Sequence, residues 1–229
     1  MKNFKTYYKR NLPHYQPPGY TYFVTYRLSG SLPVEVIKKL KGERKKQLKE
    51  IAGISNKSLQ QEKYKKMQSI YFGKFDKLLD ASDYGPTWLK EKEIAQIVKD
   101  AIHFYDNKKY DLICYTIMSN HVHQVFTPIV DRISDSTDQQ TKAETSRNRV
   151  SGYIVTKILQ DLKRFTAREC NKTLGLSGSF WQHESYDHVV RDYNELQRIV
   201  KYVLNNPVKA GLCEKWEDWK WSYCNISYL

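Results

Sequence analysis

The sequence predicts an α+β protein in which an antiparallel sheet carries helices packed on one face, a sandwich of the ferredoxin or RNA-recognition type. Two observations predict this fold. Short segments alternate apolar and polar or aromatic residues as strands do, and longer segments with helical spacing separate them. The predicted order is strand, helix, hairpin, helix, strand, helix. Because no internal repeat or long linker interrupts the chain, we expect one domain over residues 1–229.

The first half of this order begins with a strand at Tyr20 to Leu28, where β-branched and aromatic residues alternate after a Pro-Pro-Gly turn. Residues 34–80 then predict a Lys-rich helical insertion. Its lysines either bind phosphates or form an ordinary solvent-exposed helix face. A helix follows, in which Ile94, Val98 and Ile102 keep the spacing of one apolar stripe.

The second half begins with a hairpin whose strands cover residues 110–118 and 121–128, joined by a turn at Ser119-Asn120. Residues 131–149 are polar and predict a flexible loop. A helical segment, an extended segment and a last helix complete the chain. That helix opens at Asp192, which has Glu195 three residues on as in a capping box, and it is expected to end before Pro207.

The amino-acid composition limits the classes of function that the protein can have. The formal charge is +13, with 18 tyrosines and 5 tryptophans, which suits a surface that neutralises phosphates and stacks on bases. No apolar run approaches the ~18 residues that span a bilayer. The N-terminus lacks the apolar core of a signal peptide, and the four cysteines form no secreted disulfide pattern. We therefore expect a cytoplasmic protein that binds nucleic acid and no membrane.

Two of the six histidines, His121 and His123, stand two residues apart in a predicted strand and so share one face. Three interpretations are open: satisfied core histidines, an acid–base pair, or two ligands of one cation. Burying two imidazoles without partners is costly, which favours the metal site. Two ligands do not complete such a site, so a third has to come from another element.

The last helix offers a candidate. Its apolar stripe has to face the core, and Tyr202 and Asn206 lie four residues apart on one flank of that stripe. The Asn206 carbonyl oxygen can ligate a hard cation, and the Tyr202 phenol can attack phosphorus. The alternative is a tyrosine at the rim of the helix and a helix-terminal asparagine beside Pro207.

Several motifs, in order, resemble the REP-associated tyrosine transposases, a branch of the HUH single-strand DNA transposases. The motifs are RNLPHYQPPGYTYFVTYRLSGSLP, SNHVHQVF, FWQHESYDHVVRD, KYVLNNPVKAGL and EDWKWS. The resemblance covers most of the chain and implies an RNA-recognition-like catalytic domain. It also implies an endonuclease and strand transferase, associated with the bacterial nucleoid, that acts on single-stranded DNA with palindromic hairpins.

This resemblance also implies site residues. His121 and His123 match the metal-binding pair, and Tyr202 matches the nucleophile that forms a 5′-phosphotyrosine link. Asn206 stands where many relatives place a glutamine that completes the metal site, so its shorter side chain is a departure from the pattern. The implied cofactor is Mg²⁺ or Mn²⁺. The protein is expected to be a monomer or a homodimer.

Other residues carry weaker hypotheses. Basic side chains near the proposed site are candidate phosphate contacts, or parts of a solvated face: Lys163, Arg164, Arg168 and Arg198. We expect His183, Glu184, Asp187 and His188 to have a structural role, and Trp216, Trp219 and Trp221 to be packing anchors. Two other functions remain open. One is a catalytically silent module that binds DNA or RNA hairpins, and the other is a nuclease that uses water and forms no covalent intermediate.

Overall fold

A five-stranded antiparallel sheet forms the centre of the fold in the computed structural model, which describes residues 7–9, 13–81, 84–132 and 153–229. The chain divides into two compact units. One comprises Met1–Ser29 and Trp88–Leu229 and contains the sheet, and the other is Gly30–Thr87. Most of the predicted flexible loop at 131–149 lies outside the described residues.

The elements follow the predicted order, with three short strands that were not predicted. The strands are β1 Tyr7–Lys9, β2 Pro13–Tyr15, β3 Tyr22–Arg27, β4 Tyr110–Ile117, β5 His121–Pro128, β6 Tyr186–Val189 and β7 Ser222–Cys224. The helices are α1 Val34–Ala52, α2 Lys57–Asp80, α3 Lys92–Tyr105, α4 Ile154–Leu174 and α5 Tyr193–Lys209. The strand order in the sheet is β6-β3-β5-β4-β7, and β1 pairs with β2 separately. The predicted α+β class is confirmed.

One face of the sheet is an apolar core under α3 and α4. Alternate residues of β3 and β5, such as Tyr22, Val24, Val122 and Phe126, are buried there with the apolar stripes of the two helices. Successive residues of a strand point to opposite faces, so these alternate residues share the face under α3 and α4. This face fixes the register of the sheet, because a shift by one residue would exchange the apolar set with the polar residues of the opposite face.

A residue far away in sequence holds the start of α4. The buried Gln16 side chain accepts hydrogen bonds from the backbone N–H groups of Val155 and Thr156, both at 3.1 Å. Its amide nitrogen donates to Asp187 Oδ2 on β6 at 3.1 Å. Because the first N–H groups of a helix have no partner within it, Gln16 replaces the missing cap and joins the segment before β3 to α4 and β6.

The helix α5 packs on the opposite face, which differs from the expectation that all helices lie on one face. It contacts β4, β5 and β7, and its Tyr202 ring meets Phe23 and His123, which point away from α3 and α4. The apolar stripe of α5 is formed by Leu196, Val200, Val203 and Leu204. The stripe predicts burial but does not distinguish the two faces of a sheet.

The unit Gly30–Thr87 is built on an antiparallel pair of helices, α1 and α2, which form the predicted Lys-rich insertion. Asn56 caps α2 by accepting from Leu59 N at 3.0 Å. The buried Arg44 guanidinium of α1 lies 5.2 Å from the centre of the Tyr71 ring of α2. Gly85 has φ +80° and approaches the Gly30 backbone so closely that a Cβ would lie 2.2 Å from its carbonyl oxygen.

Candidate metal and tyrosine site

The hairpin of β4 and β5 presents His121 and His123 on the face that α5 covers. The turn at Ser119 and Asn120 closes with a 2.9 Å hydrogen bond from Met118 N to His121 O. His123 pairs across the sheet with Thr116 on one side and Thr25 on the other. The exposed fractions of His121 and His123 are 1% and 0%. The register therefore brings both imidazoles to one buried place, as the i, i+2 spacing predicts.

The two rings face each other through their outer nitrogens. The Nε2 atoms lie 3.1 Å apart, and the ring centres are 4.7 Å apart. Each inner nitrogen is hydrogen-bonded: His121 Nδ1 lies 2.6 Å from Asn120 Oδ1, and His123 Nδ1 lies 2.8 Å from Thr25 Oγ1. The amide oxygen accepts, so His121 carries its proton on Nδ1 and turns the lone pair of Nε2 toward His123.

This arrangement fits a shared divalent cation. Two nitrogens at neighbouring positions of an octahedral cation, each about 2.1–2.2 Å from it, lie about 3.0–3.1 Å apart. Hydrogen bonds to the inner nitrogens are what orient metal-binding imidazoles in proteins. His121 and His123 therefore fit the predicted pair of metal ligands, and Asn120 and Thr25 fix the directions of the two rings.

The N-terminal end of α5 begins as predicted. Asp192 Oδ1 accepts from Glu195 N at 2.8 Å, and Glu195 Oε2 accepts from Arg191 N at 2.8 Å. The helix continues through Pro207 to Lys209, so the prediction that it ends before Pro207 is wrong. Pro207 lies in the last turn of α5. Its missing N–H removes one hydrogen bond, and the helix tolerates this because it ends two residues later, at Lys209.

Tyr202 lies beside the imidazole pair. Its ring centre is 5.7 Å from that of His123 and 6.0 Å from that of Phe23, in edge-on contacts with both. On another side the Lys209 ammonium lies 4.9 Å from the centre of the Tyr202 ring. Phe23 in turn lies 5.6 Å from His123. Contacts with the sheet and with its own helix thus hold the Tyr202 ring beside that of His123.

Asn206 occupies the next turn of α5 and is 1% exposed. Its amide nitrogen donates to the backbone oxygen of Tyr202 at 2.8 Å. Its carbonyl oxygen is buried and has no hydrogen-bond partner in the described part of the chain. A buried oxygen without a partner costs about 1–3 kcal/mol, and a cation or a water on a cation would remove that cost. Asn206 therefore has the chemistry of the predicted third ligand, and its role as a ligand stays a prediction.

Three polar residues of this face were not singled out from sequence. Thr25 and Asn120 hold the inner nitrogens, and Arg27 is the cross-strand partner of His121. Arg27 is 6% exposed, so a guanidinium is buried on the face that carries the imidazoles. The signal available in the sequence was the alternation of Thr25 and Arg27 with the apolar core residues of β3.

Two residues of the segment before α5, Asp187 and His188, make contacts that hold the fold together. His183 and Glu184 belong to the same segment. His188 Nε2 lies 3.0 Å from Glu195 Oε1 and so joins β6 to α5. Asp187 points to the other face and accepts from Gln16. Burial raises the pKa of Glu195, but hydrogen bonds from Arg191 N and His188 outweigh it and lower that pKa overall.

The candidate phosphate contacts fall into two groups. The Lys163 ammonium turns inward and donates to Gln182 O at 2.8 Å and to Ser185 Oγ at 2.7 Å. Burial, with the nearby Arg27, lowers the pKa of Lys163 to about 7. The others are exposed: Arg164, Arg198 and Arg168, whose Nε lies 2.7 Å from Glu169 Oε1. Lys163 thus anchors the segment before β6, whereas the three arginines are accessible.

Two of the three tryptophans near the end of the chain are packing residues. Trp221 is 5% exposed within the core. Trp219 packs against it and donates its indole N–H to Ile117 O at 3.1 Å. No helix in the described part of the chain combines the length and apolarity needed to cross a membrane.

The chain was compared with protein-family models, curated proteins and solved structures. No protein-family model and no curated protein matches. Among solved structures, a REP-associated tyrosine transposase bound to a REP hairpin matches with a TM-score of 0.45 and 16% identity. The match covers 94% of this chain and 80% of that one.

Proposed function

We propose that this protein is a metal-dependent endonuclease and strand transferase for single-stranded DNA, with Tyr202 as the nucleophile. The observation that carries the proposal is the pairing of two oriented imidazoles with a tyrosine ring. The Nε2 atoms of His121 and His123 lie 3.1 Å apart, and the Tyr202 ring is 5.7 Å from His123. DNA hairpins of the REP type are the proposed substrate, because the sequence motifs resemble the transposases that act on them.

Each part of the site has a task in this reaction. A divalent cation, Mg²⁺ or Mn²⁺, held by His121 and His123 with Asn206 as the proposed third ligand, would supply Lewis-acid polarisation of a non-bridging phosphate oxygen. The Tyr202 oxygen attacks phosphorus and forms a phosphotyrosine bond to the 5′ side of the break. The bond to the 3′ oxygen breaks, and that oxygen leaves as a hydroxyl after taking up a proton. A 3′-hydroxyl can later attack the phosphotyrosine, which rejoins a strand and frees the phenol.

The phenol needs help to lose its proton, because its ordinary pKa is near 10. Lys209 places a positive charge 4.9 Å from the centre of the Tyr202 ring. A nearby cation favours the phenolate over the neutral phenol. Lys209 is therefore proposed to assist the attack electrostatically.

The test uses the full chain, a 5′-labelled and a 3′-labelled single-stranded hairpin DNA, and Mn²⁺, analysed on a denaturing gel. Wild-type protein is expected to cleave the DNA and to leave one fragment covalently attached to protein. Tyr202→Phe should reduce cleavage by at least about 10³-fold and abolish the adduct, because the attacking oxygen is gone. Tyr193→Phe is the matched control, since Tyr193 lies on the same helix and is 68% exposed.

Three results would contradict the proposal. Cleavage without an adduct would indicate a nuclease that uses water. A covalent adduct that still forms in Tyr202→Phe would show that another residue is the nucleophile. Tight hairpin binding without cleavage in Mg²⁺ or Mn²⁺ would favour a silent binding module.

A further inference from the structure

The helix α1 concentrates positive charge on one side. At about 100° per residue, its packed residues, among them Ile37, Leu40, Arg44 and Leu48, gather on one stripe. The opposite arc, about 160° wide by the same geometry, carries six exposed lysines. We call this set the α1 basic face: Lys38, Lys39, Lys41, Lys45, Lys46 and Lys49.

These lysines form no ion pairs within the described protein, and Lys39 alone among them is an electrostatic neighbour of Glu43. Across the portion of the chain that the structure describes, none of the six forms an ion pair or a hydrogen bond. The nearby acid Glu43 is occupied by Lys74 of α2 at 3.0 Å. Glu35 is the one acidic residue within the arc of the basic face, and Glu50 lies at its border. Six like charges on one helix repel each other, which favours a bound polyanion.

The neighbouring helix shows that this concentration is particular to α1. At the same geometry the six exposed lysines of α2 spread over about 260° around its axis. Lys63, Lys66, Lys74 and Lys77 share one side of the helix, and Lys57 and Lys65 lie outside it. Both helices have the same number of exposed lysines, so composition alone does not distinguish them. The positions of the lysines around the axis distinguish them, because all six of α1 lie within one arc, whereas those of α2 are divided and include Lys74, which is paired with Glu43.

The form of the basic face indicates which anion it suits. From Lys38 to Lys49 it extends about 16 Å along a straight helix, at 1.5 Å per residue. The sequence of α1 contains no aromatic residue, so it offers nothing on which an unpaired base can stack. Lysine ammonium groups bind phosphates as point charges, and contacts to phosphates carry no sequence information directly. A rigid row of phosphates, as along a duplex, matches such a fixed linear array.

We infer that the α1 basic face binds the phosphate backbone of the paired stem of a DNA hairpin. This inference rests on the proposed function for the identity of the substrate, and it assigns the Lys-rich insertion to holding the stem. It makes no use of the imidazole pair or of Tyr202. Binding by this face is expected to be independent of sequence and strongly dependent on salt.

The test measures hairpin binding by fluorescence anisotropy at a series of salt concentrations, with Tyr202→Phe as the background so that no cleavage occurs. The triple variant Lys38→Gln, Lys45→Gln, Lys49→Gln keeps helix propensity and removes three charges. The matched control removes three exposed lysines of the other unit, Lys90, Lys92 and Lys172. Circular dichroism and thermal unfolding confirm that both variants are folded.

The slope of log affinity against log salt is expected to become shallower by about 2 to 3 in the α1 variant, since each phosphate contact contributes about 0.9. The control should keep the wild-type slope. An unpaired oligonucleotide of equal length should show little difference between wild type and the α1 variant. If the α1 variant and the control behave alike, or if the unpaired strand loses as much affinity as the hairpin, the inference is wrong.

This result is separable from the test of the proposed function. If the α1 variant has a shallower salt slope but wild-type protein does not cleave DNA, the inference about the α1 basic face stands and the strand transferase is rejected. If wild-type protein cleaves DNA but the α1 variant keeps the wild-type slope, the proposed function stands and the inference is rejected.

Discussion

Both faces of the central strands are buried, but the two imidazoles lie on only one of them. Facing α3 and α4, β3 and β5 present Tyr22, Val24, Val122 and Phe126, which pack into the apolar core. Facing α5, the same strands present Thr25, His121 and His123, all 3% exposed or less. Burial therefore does not distinguish the core face from the face that carries the proposed site. Hydrogen bonding does, because the polar set is held by specific partners.

Hydrogen bonds on the polar face fix the orientation of the two imidazole rings. Buried polar groups are costly unless they are hydrogen-bonded, and Asn120 and Thr25 supply bonds for the two inner imidazole nitrogens. The core face on the other side holds the strands in register, so that the two rings meet. The apolar face stabilises the fold, and the other face carries the proposed metal and tyrosine site. Substitutions on the two faces should therefore separate the free energy of unfolding from the cleavage rate.

The largest effect is expected for His123→Ala on the polar face. It removes one proposed metal ligand, so Mn²⁺ should no longer raise the thermal unfolding temperature, and cleavage should fall by at least about 10³-fold. Differential scanning calorimetry with and without Mn²⁺, together with the cleavage assay, measures both. His103→Ala is the matched control, because it removes a half-buried imidazole that contacts Tyr115 on the other side of the sheet. If Mn²⁺ still raises the unfolding temperature of the His123→Ala protein, the cation binds elsewhere and the proposed metal site is wrong.

On the apolar face, Phe126→Ala should reduce the free energy of unfolding by about 3–5 kcal/mol, because it leaves a cavity in the core. Urea unfolding gives this number, and Phe104→Ala, an aromatic that is 59% exposed, should change it by less than about 0.5 kcal/mol. Cleavage per folded molecule should stay near wild type in Phe126→Ala. If cleavage is lost while the protein remains folded, the two faces are not independent.

Local patterns predicted much of this fold and part of the candidate site. The i, i+2 spacing of His121 and His123 fixed their common face, and the Asp192 cap marked the start of α5. These features depend on residues close in sequence, where geometry is nearly determined. The hydrogen bond of His123 with Thr25 spans 98 residues, and the Gln16 cap of α4 spans about 140. Such contacts exist only after strand order is set, and periodicity does not encode that order.

The same limit applies to charge and to helix placement. Lys163 and Arg164 are adjacent in a basic helix, yet one ammonium is tied to the segment before β6 and the other side chain is exposed. Composition gives both residues the same hypothesis. Likewise, the apolar stripe of α5 predicts that the helix is buried, whereas the face on which it docks is decided by which side of the sheet is already covered by α3 and α4.

The smallest expected effect concerns Glu195, which joins the polar face to the start of α5. His188, Arg191 N and the Arg191 guanidinium, 3.8 Å away, all face its carboxylate, and the pKa of Glu195 is lowered on folding. A lowered pKa contributes stability that is present above the unfolded value and is lost as the pH falls through the folded value. Glu195→Gln should therefore cost about 1 kcal/mol at pH 7.

The pH dependence separates this charge effect from a loss of packing. The difference in unfolding free energy between wild type and Glu195→Gln should shrink below pH 4.5 and vanish at lower pH, as the wild-type carboxyl becomes protonated. Urea unfolding at several pH values from 7 down to about 3 measures it, with Glu93→Gln on the exposed first turn of α3 as the control. A difference that stays constant with pH would mean that Glu195 acts through shape alone, and that the link from β6 to α5 does not depend on its charge.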